Sequence, residues 1–109
     1  MFKTEQRGDV TVVVAGSELN AHNAPEAKTT LRGLVNSGRV KLIIDLSALS
    51  FIDSAGLGAL LTAFKTAGAA GGQLVLCGLS QPVKSIFELT RLDRVFPIFD
   101  TQEEAVGSF

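Results

Sequence analysis

The chain opens on a short run of polar and charged residues and then turns abruptly apolar. Val10 to Ala15 reads VTVVVA, β-branched and closed by Gly16, which predicts a strand. Phe2 to Gln6 is expected to pair with it across a turn at Arg7, Gly8 and Asp9, because Gly-Asp is turn chemistry. The polar stretch SELNAHNAPE follows as a loop, with Asn23 placed as a helix N-cap and Pro25 in the first turn. Ala24, Ala27, Leu31, Leu34 and Val35 then recur at helical spacing, and Asn36, Ser37 and Gly38 close that helix.

Val40 to Leu46 (VKLIIDL) is dense in apolar residues with little alternation, the pattern of a strand covered on both faces. After the loop SALSFI a helix is predicted from Ser54. Its apolar stripe is read as Leu57, Leu60, Leu61, Phe64 and Ala67, which leaves Ala55, Gly58, Ala59, Thr62 and Thr66 outside and Lys65 as its only charge. Gly68 to Gly72 ends it. Gln73 to Cys77 is the next strand, Pro82 opens a helix with Val83, Ile86, Phe87 and Leu89 on its apolar side, and Arg94 to Phe99 is read as a last short strand. Gln102 to Val106 supplies a final helical turn or two. Strands thus alternate with helices from Val10 onward. That order predicts an α/β fold: one domain over residues 1–109, with a four- or five-stranded mixed, mostly parallel sheet and helices packed on it.

Length agrees, since 109 residues bury one core and not two. Ten Lys and Arg balance 11 Asp and Glu, and no basic block occurs, so neither nucleic acid nor an anionic membrane is expected as a partner. Apolar runs stay well short of the ~20 residues that span a bilayer. The lone Cys77 excludes an internal disulfide and suits a reducing compartment; the cytoplasm is the expected location, and nothing requires more than a monomer. No metal site or cofactor is expected.

In open α/β sheets functional groups gather beyond the carboxyl ends of the strands. Three segments reach that edge: one carries Ser17 and Asn20, one Asp53 and Ser54, and one Gly78 and Ser80, with Asp45 close by. Ser54 falls in the first turn or at the N-cap of the central helix, where unpaired N–H groups favour an added negative charge. A phosphoryl group fits there. So does the plainer reading, in which Asp53 or Ser54 only caps the helix, and neither excludes the other. The smooth, nearly uncharged outer face of the same helix reads either as a docking strip or as a by-product of an Ala- and Gly-rich sequence.

Catalysis finds little support. Ser54, His22 and Asp53 or Asp45 contain the elements of a hydrolytic triad, but no G-x-S-x-G elbow is present and a lone His in a polar loop is ordinarily a solvated side chain. No P-loop sequence occurs, and Gly71 and Gly72 lead into a strand instead of following one.

At these residues the chain resembles STAS domains of the bacterial anti-sigma factor antagonist type. The likeness rests on GSELN at 16–20, LIIDLSALSFIDSAGLGALL at 42–61, LVLCGLSQPVKSIFELTRLDRVFPIF at 74–99 and the closing TQEEAV; the D-S-x-G-L-G stretch is its specific part. The resemblance implies a switch without chemistry of its own. Such a protein binds an anti-sigma factor that is also a serine kinase, is phosphorylated at the Ser after the motif Asp, here Ser54, and is restored by a PP2C-type phosphatase. It places the partner surface at Asn20, His22, Asp53, Ser54, Ala55, Gly56, Gly58, Ala59 and Thr62. Two departures stand out: Asn20 occupies a position where many relatives carry Asp, and Ala55 leaves Ser54 as the only hydroxyl in the motif. The alternative is a STAS subunit of a stable transport or signalling complex in which Ser54 is never phosphorylated.

Overall fold

The computed structural model describes residues 2–109. Its main sheet has five strands in the order β1-β2-β4-β6-β7, and a separate two-stranded sheet pairs β3 with β5. β1 (Lys3–Arg7) and β2 (Val10–Val14) form the expected antiparallel hairpin. β4 (Lys41–Asp45), β6 (Gln73–Cys77) and β7 (Ile98–Phe99) run parallel to β2, each reached through a crossover helix. Those crossovers are α1 (Ala24–Asn36), α2 (Ser54–Ala69) and α3 (Gln81–Leu89).

The two faces of the sheet are covered unequally. Val13, Leu42, Ile44, Leu74 and Leu76 pack into the large core with α1, α2 and α3, whereas Val10, Val12, Ile43, Val75 and Cys77 are covered by the short α4 (Gln102–Gly107) through Ala105 and Val106. Both faces of β4 and β6 are therefore buried, which is why their sequences do not alternate. α4 starts on a complete capping box between Thr101 and Glu104.

Leu89, expected on the apolar side of α3, is instead 83% exposed at the last residue of that helix, and three further expectations need correction. The loop 47–52 contains β5 (Phe51–Ile52), parallel to β3 (Glu18–Leu19); a two-residue strand is too short to leave a period in the sequence. The stretch 94–99 is not one strand: Leu92–Arg94 is a 3-10 turn following Arg91 in the left-handed region, Phe96 is buried, and only Ile98–Phe99 pair with β6. Phe96 anchors that segment by edge-on stacking against Phe64 and Phe87, with ring centroids 5.1 and 5.8 Å away.

The third concerns α2. Its buried stripe is Gly56, Ala59, Leu60, Ala63 and Ala67, not the larger side chains alone; Leu57, Leu61 and Phe64 lie partly buried on its flanks. Small residues face inward because α2 sits close against its neighbours. At Gly56 a Cβ would collide with the Leu19 carbonyl oxygen and come within 2.9 Å of Ile52 Cγ1. Gly56 and Ala59 are thus buried and leave the proposed partner face, which becomes Ser54, Ala55, Gly58 and Thr62 with part of Leu61.

Candidate functional site

The site is assembled where the small sheet meets the start of α2. Leu19 and Ile52 pair side by side and point into the core, so their neighbours Glu18 and Phe51, also paired, point outward. Ser50 N–H donates to the Ser17 carbonyl at 2.8 Å, and Asp53 N–H donates to the Leu19 carbonyl at 3.2 Å. The loop after β2 and the loop after β4 are therefore stitched together before α2 begins.

Asp53 is the N-cap. Its Oδ1 accepts from Gly56 N–H at 2.9 Å, and its Oδ2 accepts from Ala21 N–H at 3.0 Å across the site. The Gly56 hydrogen bond, followed by that of Ala21, holds its carboxyl below the ordinary value of 3.8. Capping by Asp53 relieves Ser54 of that duty. Ser54 is exposed at the first helical position, at the positive end of the helix dipole.

Asn20 and Asn23 shape the facing loop. Asn20 Oδ1 accepts from His22 N–H at 3.0 Å and Asn23 N–H at 3.3 Å; Asn23 Oδ1 accepts from Asn20 N–H at 2.8 Å. Asn23 stands at the start of α1 as expected, but its side chain makes no capping hydrogen bond and serves this loop instead. A shallow depression of about 350 Å³ opens here, lined by Gly16, Ser17, Glu18, Asn20, His22 and Asn23. His22 is exposed and enters the network only through its backbone N–H.

The carboxylates that might have oriented His22 are engaged elsewhere. Asp53 takes two backbone N–H groups, while Asp45 accepts from Ser47 N–H at 2.9 Å and from Gln102 Nε2 at 2.9 Å. Burial pushes the Cys77 thiol up to about 12, with the Asp45 carboxylate adding to the shift, so it behaves as a small apolar core residue. Among the described residues no group of His, Cys, Asp and Glu could hold a metal, and no helix is long and apolar enough to cross a membrane.

The structure therefore brings Asn20, His22, Asp53, Ser54 and Ala55 to one edge and lays Gly58 and Thr62 along the helix leading from it. Sequence reasoning missed Phe51, 51% exposed beside Glu18, because an aromatic in an apolar motif reads as core. It also missed the reach of Asp53 to Ala21, which links residues 32 apart.

The comparisons follow the same geometry. The anti-sigma-B factor antagonist of Listeria monocytogenes is 34% identical over 107 residues, covering 98% of this chain and 93% of the relative. A Thermotoga maritima crystal structure, itself only provisionally assigned as an anti-sigma factor antagonist, superposes with a TM-score of 0.93 at 31% identity, covering 98% of this chain and 92% of that one. The phosphorylated form of the Bacillus cell fate determinant SpoIIAA shares the fold, with a TM-score of 0.77 at 24% identity and 99% and 98% of the two chains covered. The STAS domain model matches residues 1–105, and the chain belongs to the STAS domain family.

Proposed function

We propose that this chain is an anti-sigma factor antagonist switched by phosphorylation of Ser54. Unphosphorylated, it binds an anti-sigma factor that is also a serine kinase, through Ser54, Ala55, Gly58 and Thr62 on α2 and the Asn20–His22 loop facing them. The kinase transfers a phosphoryl group to Ser54, the complex separates, and a PP2C-type phosphatase resets it. The observation that carries this reading is an exposed serine at the first position of α2, freed from capping by Asp53 and held at the edge of a cross-linked junction.

The physical scale is adequate. A phosphoserine adds nearly two negative charges, here next to the Asp53 carboxylate and against a packed partner surface. A thousandfold loss of affinity needs ~4 kcal/mol, within what like charges and desolvated ions cost in an interface. No refolding of this chain is required. The fold supplies a rigid edge, and the charge alone alters what can dock on it.

A pull-down with the purified anti-sigma kinase of the same organism tests this. Ser54→Asp is expected to lose the kinase, while Ser54→Ala keeps it and stays bound in the presence of ATP. Equal capture of both variants would refute the charge switch.

A further inference from the structure

The main sheet has two edges, and they are unlike. β7 is two residues long, both of them partly buried. β1 is five residues long, every one of them exposed, and its outer side pairs with no strand of this chain. A free edge of that length presents a row of backbone N–H and C=O groups to any extended chain that fits it.

The side chains of β1 decide what fits. Lys3, Glu5 and Arg7 stand opposite Val14, Val12 and Val10, so all three lie on the α4 face of the sheet, while Thr4 and Gln6 lie on the other. Gln6 Oε1 accepts from Thr11 Oγ1 at 2.8 Å, and Arg7 Nη1 donates to Gln102 Oε1 at 2.9 Å. The one ion pair found among the described residues joins Lys41 to Asp9, so Lys3 and Glu5 keep their charges open.

We infer that β1 is a pairing edge for a second copy of this chain, joined antiparallel about a twofold axis at Thr4. In that register Lys3 of each copy faces Glu5 of the other, and the two Thr4 residues face each other. Opposite charges and Thr–Thr pairs are both stabilising when they stand directly across an antiparallel ladder. The neighbouring registers are worse. Moving the axis to Glu5 sets Glu5 against Glu5 and Lys3 against Arg7, all like charges. Moving it to Gln6 pairs Glu5 with Arg7, but it takes Arg7 from Gln102 and runs directly into the turn at Gly8, whose φ is 67°. Charged edges ordinarily keep foreign strands away, and the alternation of Lys3 and Glu5 does so while admitting its own copy. An edge this short buries less than the ~1,200 Å² of a standard interface, so the dimer is weak and forms at high concentration. It goes beyond the monomer expected from the sequence and does not involve Ser54.

Sedimentation velocity of the full chain tests this from about 10 µM to about 1 mM, the range in which so small an interface associates. Wild type is expected to shift toward a dimer as concentration rises. Lys3→Glu and Glu5→Lys each turn two attractive pairs into two repulsive ones and should weaken association about tenfold or more. The double exchange, which keeps the formal charge at -1, restores it. So does an equimolar mixture of the two single variants, because the acidic edge of one then faces the basic edge of the other. Both positions are exposed, and rescue by mixing separates pairing from folding. A wild type that stays monomeric throughout overturns the proposal, as does Lys3→Glu associating like wild type or a mixture of the single variants that fails to associate.

Discussion

Helices α2 and α3 both begin at the carboxyl edge of the sheet, and each has a serine at its entrance, Ser54 and Ser80. Around α3 little else happens: Ser80 is the N-cap but makes no side-chain capping bond, and Pro82 in the first turn provides the start. Around α2 the entrance is cross-linked three ways, by the β3–β5 pairing, by Asp53 reaching both Gly56 and Ala21, and by the close approach of Gly56 to Leu19. Helix starts are common, but a start clamped to a second loop is a place where an added charge cannot be absorbed by local movement. Of the two serine-bearing entrances, that of α2 has this property.

The largest way to break the contrast is Gly56→Ala. Alanine in a helix ordinarily gains up to ~1 kcal/mol over glycine. Here the collision with the Leu19 carbonyl reverses the sign, and the expected loss is about 3 kcal/mol, roughly 10–20 °C in the thermal midpoint. Asp53→Ala comes next, removing the cap and the bridge to Ala21 together and lowering the midpoint by several degrees at neutral pH. Because the folded carboxyl titrates below 3.8, the contribution of Asp53 is present above that value and disappears as pH falls through the lowered one. Melting curves of wild type and variant should therefore begin to converge as pH falls below 3.8 and meet only once it has passed below the lowered value.

Gly58→Ala sharpens the comparison in the opposite direction. Nothing lies within 4 Å of the added methyl, so a gain of about 0.5–1 kcal/mol in urea unfolding is expected, together with weaker kinase binding because the position faces outward. Two glycines two residues apart should thus respond with opposite signs. The smallest effect belongs to Ser80→Ala, within about 0.5 kcal/mol and without change in partner affinity, since its hydroxyl makes no capping bond.

The regular elements were readable because each has either a period or a dense apolar run. β2 announces itself by β-branched residues, β4 and β6 by unbroken apolar runs, and α2 by its apolar repeat. Which side of α2 is buried was misread, because the pattern ranks Leu above Ala and Gly, whereas close packing selects the small residues Gly56, Ala59 and Ala63 for the interior. Ser54 and Asp53 were identified as a pair, but their division of labour depends on a backbone angle at Asp53 that only the fold determines. Phe51 and the clamp of Asn20 on Glu18 depend on a two-residue pairing between distant loops, which carries no local signal.

The most direct measurement is the intact mass of the chain after incubation with the purified anti-sigma kinase and ATP, followed by the affinity of the product for that kinase. A gain of one phosphoryl group that is absent from Ser54→Ala, accompanied by about a thousandfold loss of affinity, is the predicted result. An unchanged mass with an undiminished complex would contradict it, leaving Ser54 as the first residue of a helix in a permanent assembly.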